Sequence, residues 1–132
     1  MNKNNVVLAL AAVILAATAF TLLPAATVAT VATVAPKGYV IAEITVADPE
    51  AYKQYAAAVP AIAAKFSGKY LVRAGQTVAV EGEPPSGRIV VIEFDSLAAA
   101  RSFEDSAEYQ AIAPLRQKAA RSRVFLVEGI AR

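Results

Sequence analysis

The chemistry open to this chain is bounded first by what it lacks. Its 132 residues include no Cys, no His and no Trp. Without Cys there are no disulfides, thiolate nucleophiles, Fe–S clusters or Cys-based zinc sites. Without His the usual general acid/base near neutral pH, the usual haem ligand and the commonest metal ligand are missing. Any metal would be a hard cation on oxygen ligands, and no carboxylate cluster of calcium-loop type is present. No metal and no cofactor are expected, and catalysis would fall to carboxylates, Tyr, Lys, Arg, Ser or Thr.

The carboxylates that draw attention are Glu43 and Glu93, each in an alternating, strand-like segment: GYVIAEITVA over 38–47 and RIVVIEFD over 88–95. Alternation puts both on the less aliphatic face of their strands. If the strands are neighbours, the two carboxylates stand ~5 Å apart. Carboxylates that close repel unless one takes a proton or a cation intervenes. Arg73, with the same parity in the next extended segment, is the expected cation, beside Glu93. Two readings follow. One is a polar pocket with a carboxylate of raised pKa as acid or base, making Glu43 and Glu93 the candidate catalytic residues. The other is a buried Arg–Glu pair that fixes dimer register and has no substrate. Tyr39, Tyr70 and Tyr109 are further pocket candidates, each also explicable as a core or interface aromatic with its hydroxyl at an edge.

The elements that would position these residues read clearly. After the 38–47 strand, Asp48-Pro49-Glu50 opens a helix with an acidic N-cap and Pro at the first helical position. Tyr52, Tyr55, Val59, Ile62 and Phe66 form its apolar stripe. Pro60 should kink this helix, and Gly68 should supply its left-handed cap. Lys69–Glu81 is expected to be one long extended segment, followed by a turn over 82–87. Ser96 caps a short helix with Leu97, Ala100 and Phe103 as its stripe. Ser106 caps a second, running to about Arg121 and interrupted by Pro114. Arg123–Gly129 is the last strand. The order β-α-β-β-α-β predicts an α+β, ferredoxin-like fold: a four-stranded antiparallel sheet in spatial order 4-1-3-2 with helices on one face.

Charge is distributed unevenly. Residues 1–36 carry only Lys3 and hold 25 hydrophobic residues. Met1–Asn5 followed by 18 uncharged residues from Val6 to Leu23 is a secretory signal pattern, and also just long enough to span a bilayer. Residues 1–26 are therefore a signal peptide or an N-terminal membrane anchor, with cleavage favoured. Residues 27–37, which include three Thr-Val-Ala triplets, are a spacer, and 38–132 form the domain. Either leader places the domain outside the cytoplasmic membrane, periplasmic or extracytoplasmic and membrane-associated. A membrane is a partner only through an uncleaved leader. With 13 basic and 11 acidic residues overall, there is no electrostatic footprint for nucleic acid. Arg116, Lys118, Arg121 and Arg123 read as a solvated helix face, with an anionic ligand or lipid as the alternative.

The sheet face opposite the helices holds Tyr39, Ile41, Val91 and Leu71, too apolar a patch to leave in water. No chain remains to cover it, so a homodimer with two sheets face to face is expected.

Taken together, YVIAEITVADPEAYKQY, GKYLVRAG, RIVVIEFDSLAAARSFEDSAEYQAIAPLR and VFLVEG resemble the short bacterial family termed domain of unknown function 1330, over about Gly38 to Gly129. The resemblance implies the dimeric α+β-barrel superfamily, whose members include cofactor-free monooxygenases, isomerases and haem enzymes. The sequence departs from the family where members often carry His, at Phe66 or Ser67. It departs again where they sometimes carry an aromatic pair, since Phe103 is followed here by Glu104. Lacking His, the chain does not fit haem chemistry or a His-based mechanism. The expected function is binding of a small organic molecule in the inter-sheet cavity of a dimer, with turnover of the monooxygenase or isomerase type as an extension. The alternative is a non-catalytic dimeric structural or interaction module, held at a membrane if the leader is retained.

Overall fold

A computed structural model describes residues 34–131. The leader assigned to 1–26 and most of the spacer lie outside the described residues. Seven elements follow in order: β1 (Gly38–Val46), α1 (Pro49–Lys65), β2 (Lys69–Arg73), β3 (Arg88–Phe94), α2 (Leu97–Glu104), α3 (Ala107–Ala119) and β4 (Ala120–Glu128). The strands form one antiparallel sheet in the order β2-β3-β1-β4, the order expected of a ferredoxin-like fold.

The local signals work as the chemistry of helix ends requires. The Asp48 carboxylate accepts the Ala51 N–H at 3.0 Å, and Pro49 starts α1. Ser96 and Ser106 cap α2 and α3 by accepting from Ala99 N and Tyr109 N. Two helix expectations change. The α3 helix runs unbroken through Pro114 and stops at Ala119, two residues before Arg121. At the end of α1, Ser67 and not Gly68 takes the left-handed conformation (φ 69°). Gly68 is required for space instead, because a Cβ there would stand 2.7 Å from the Ala63 carbonyl and 2.8 Å from the Phe94 ring.

Alternation along β1 buries Val40, Ala42 and Ile44 against the helices, together with Ile92 and Phe94 of β3. On the helix side the core is completed by Tyr52, Tyr55, Val59, Phe103, Tyr109 and Ala113. Phe94, Phe103 and Tyr109 stack in sequence, with centroids 5.3 and 4.5 Å apart. Such pairs add ~0.5–1.5 kcal/mol each beyond area burial.

The opposite face carries a straight apolar row across all four strands: Val72 pairs with Val91, Val91 with Ile41, and Ile41 with Phe125. A neighbouring row is formed by Lys69, Glu93, Tyr39 and Val127. Phe125 is 44% exposed and Val127 39%.

The second strand differs most from expectation. It ends at Arg73 instead of running to Glu81. Tyr70 pairs with Ile92 and Val72 with Val91, so Leu71 is the extra residue of a β-bulge. The bulge shifts the side-chain alternation by one. Arg73 therefore pairs with Val90 and joins Tyr70 on the helix-facing side, not on the open face with Glu93. Leu71, expected in the open-face patch, gives up that place to Val72.

Candidate functional site

The sequence candidates divide between the two faces of the sheet. Glu43, Glu93 and Tyr39 lie on the open face, whereas Tyr70, Arg73 and Tyr109 line a cavity on the helix face.

On the open face the expected pair of carboxylates does not form. Glu43 is opposite Ile89 in β3, and Glu93 is opposite Tyr39 in β1. The Ile41–Val91 pair stands between them, so the carboxylates sit four residues apart along the strands, about 13 Å. Shared parity put them on one face, but the strand register separates them. Arg73 is also absent from this group, because the bulge turns it away. Glu43 pairs instead with Arg123 (2.8 Å) and accepts two bonds from Ser86, from its N–H at 2.9 Å and its hydroxyl at 2.8 Å. These bonds, Ser86 first, hold the carboxyl below the usual Glu range. Glu43 thus anchors the end of the β2–β3 connection and stays ionised. Glu93 accepts a 3.3 Å bond from the Tyr39 hydroxyl.

The helix face has a different character. Between α1, α2 and α3 on one side and the sheet on the other lies a cavity of about 70 Å³. Its floor is sheet side chains, Val40, Ala42 and Ile92 among them. Its walls are Tyr52 and Tyr55 of α1, Tyr109 of α3 and Tyr70 of β2. These are four of the chain's five tyrosines. Burial raises the pKa of all four, so they stay protonated donors at neutral pH. The Tyr55 and Tyr109 hydroxyls share a 3.2 Å bond.

Charged groups complete the wall. The Arg73 guanidinium lies 5.0 Å from the Tyr70 ring and that of Arg88 5.3 Å from the Tyr52 ring. Both are cation–π placements. Arg116, 7% exposed, packs behind the wall against the Tyr55 ring (5.7 Å) and donates to the Ser122 hydroxyl. The sequence pattern groups it with Lys118, Arg121 and Arg123 on a solvated helix face. The structure separates them: Arg116 is interior, Lys118 is exposed, and Arg121 and Arg123 belong to the open face of β4.

Glu104 is the residue that sequence reasoning passed over. It ends α2 and lines the cavity, and its Oε1 is buried without a hydrogen-bond partner. Burial pushes its carboxyl above the ordinary Glu range; Arg116 and the nearby Tyr109 hydroxyl oppose the rise and Asp105 adds to it. A carboxyl of raised pKa was the expected chemistry, but on Glu43 or Glu93. A signal for Glu104 was present: it follows Leu97 by seven and Ala100 by four, which places it on the apolar stripe of α2. Arg116 likewise follows Tyr109 by seven and Ala113 by three.

Among the described residues, no group of three or more His, Cys, Asp or Glu could hold a metal. No helix among them is long and apolar enough to cross a membrane.

An antiparallel four-stranded sheet with its helices on one face defines an α+β protein of the ferredoxin-like class. Within that class the chain belongs to the DUF1330 family, the domain of unknown function 1330, whose profile matches residues 37–130. No functionally curated protein matches it. Similar solved structures include the RPA0582 protein of unknown function from Rhodopseudomonas palustris, with 19% identity and a TM-score of 0.57. That match covers 75% of this chain and 86% of the other. The methylated form of RPA0582 matches at 18% identity with the same TM-score, covering 75% and 84%. A protein from Thermobifida fusca, described as a dimeric ferredoxin-like protein of unknown function, matches at 15% identity with a TM-score of 0.50, covering 71% and 92%. At these identities the likeness is one of fold.

Proposed function

We propose that the protein is a homodimer in which each subunit binds a small organic molecule in the cavity between its helices and its sheet. Glu104 exchanges a proton with that molecule. The observation that carries the reading is the buried, unpartnered Oε1 of Glu104, a residue that lines the cavity. A buried carboxyl whose pKa is raised above the ordinary Glu range suits acid–base work there. An isomerase-type reaction fits best: one carboxyl takes a proton from a carbon next to a carbonyl and returns it elsewhere, with no co-reactant. A monooxygenase-type reaction needs dioxygen as well, and no side chain at the cavity argues for it.

The dimer is supported by the Val72–Val91–Ile41–Phe125 row, which a single subunit leaves uncovered, and by the dimeric state of the Thermobifida fusca neighbour. Its two sheets would pack face to face across that row, so the ligand sits within each subunit and not between the sheets. The apolar leader supports an exported protein; the mass of the N-terminus in the envelope fraction reports cleavage.

The test is deuterium exchange into small cyclic ketones followed by proton NMR. The wild-type protein should catalyse exchange next to the carbonyl, and Glu104→Gln should lose it by at least about a hundredfold. Binding of the same ketones, read from the tyrosine ring resonances, should persist in the variant. Equal exchange by both proteins would overturn the role of Glu104.

A further inference from the structure

The charges around the cavity point to the chemical class of its ligand, an inference that rests on reading the cavity as the ligand site. Two arginines line it, Arg73 and Arg88, against one acidic residue, Glu104. Among the described residues, neither arginine has a carboxylate within salt-bridge distance, whereas Lys37, Lys53, Lys65 and Arg123 each have one. Arg116 adds a third positive charge just behind the wall. Each of the two lining guanidiniums lies against a tyrosine ring, Arg73 on Tyr70 and Arg88 on Tyr52, which limits its motion and leaves N–H groups for a ligand. The Arg73 Nη2 is already engaged with the Ala56 carbonyl at 2.9 Å, which fixes that side chain at the cavity.

The two kinds of charge also differ in depth. Arg73 is exposed and Arg88 half-buried, whereas the Glu104 Oε1 is buried. The arginines therefore stand toward solvent and the carboxyl lies deeper. Both arginines come from the ends of β2 and β3 that flank the 74–87 connection. Arg73 reaches the cavity only because the Leu71 bulge turns it inward.

We propose that the cavity takes a small organic carboxylate, its anionic group held by Arg88 and Arg73 and a hydroxyl at its far end donating to Glu104. Aromatic walls of four tyrosines suit a single flat ring between these ends. The volume agrees: ~70 Å³ is room for about five water-sized volumes, which limits the buried part to one ring or a short chain.

Three probes test this on the full chain by titration calorimetry, with tyrosine ring resonances marking the site: 4-hydroxybenzoate, benzoate without the hydroxyl, and phenol without the anion. 4-Hydroxybenzoate should bind at least about tenfold tighter than phenol, because charge-assisted bonds to an arginine exceed neutral ones. Arg88→Met should erase that advantage, lowering the affinity for 4-hydroxybenzoate at least about tenfold more than the affinity for phenol. Glu104→Met should bring 4-hydroxybenzoate down to the level of benzoate. Arg73→Met, at an exposed position, gives a second reading if Arg88→Met fails to fold. If phenol binds as tightly as 4-hydroxybenzoate, the anion assignment is overturned while the cavity remains a ligand site. If none of the three shifts a tyrosine resonance, the carboxylate proposal is overturned outright. In that case the ketone-exchange experiment decides separately whether the cavity binds anything.

Discussion

Glu43 on the open face and Glu104 in the cavity are carboxylates on opposite sides of one sheet, and their surroundings treat them in opposite ways. Glu43 receives three hydrogen bonds, two from Ser86 and one from Arg123. Three of its roughly four acceptor sites are occupied and its charge is stabilised. Glu104 has an oxygen that receives none, and burial favours its neutral form. A satisfied carboxylate is a structural part; an unsatisfied one beside a cavity is available for a ligand. The same contrast separates the two faces. The open face ties its charges to one another around an apolar row, a composition suited to a self-complementary interface. The helix face keeps arginines and a carboxyl apart around a void.

The most damaging way to break this contrast is to remove the support of the cavity. Phe103 is 1% exposed and touches the rings of Phe66, Phe94 and Tyr109. Phe103→Ala should destabilise the domain by ~3–5 kcal/mol. Thermal melts should then show a fall of tens of degrees at roughly 4–8 °C per kcal/mol. A loss under 1 kcal/mol would mean that the aromatic stack is not the core of the helix layer. Next in size is the open face. Ile41→Lys puts a charge into the centre of the apolar row. Dissociation of the proposed dimer, measured by ultracentrifugation, should rise at least about a hundredfold, since burying an unpaired charge costs several kcal/mol. The subunit fold and the cavity should be unaffected. A dimer that survives this change unaltered would place the interface elsewhere.

How much of this contrast could be read from residues alone depends on which physical rule was needed. Helix starts depend on a single cap, so Asp48, Ser96 and Ser106 announced themselves. Sheet order followed from element order, because few topologies satisfy β-α-β-β-α-β. The apolar open face followed from alternation in β1 and β3, where no irregularity disturbs it. Alternation failed in β2, where one extra residue at Leu71 inverts the parity of Arg73; no local signal in KYLVR marks that bulge. Register was equally hidden. Alternation assigned Glu43 and Glu93 to one face but left their offset along it undetermined, and the offset is what keeps them apart. The cavity is a property of packing. Tyrosines of α1, α3 and β2 line it together with small residues such as Ala42 and Ala56, and the periodicity of a single element says nothing of the space left between elements.

The smallest expected effects separate the two carboxylates most directly, because they have opposite signs. Glu43 has a folded-state pKa lowered from the ordinary 4.5. Its stabilisation is therefore present above about pH 4.5 and is lost as pH falls through the lowered value. Glu43→Gln should be less stable than wild type at neutral pH, and the two should converge on acidification. Glu104 has a folded-state pKa raised from 4.5. Its favourable contribution is complete below 4.5, where the carboxyl is protonated in both states, and is lost as pH rises through the raised value. Glu104→Gln stays neutral throughout. It should match wild type below about pH 4.5 and become the more stable protein as pH rises from there through the raised value. Urea denaturation of the three proteins from pH 3 to 8 measures both gaps. If the gaps open in the same direction toward neutral pH, folding lowers the Glu104 pKa instead of raising it. The cavity then presents a fixed negative charge beside its arginines, and the distinction between the two faces reduces to one of burial.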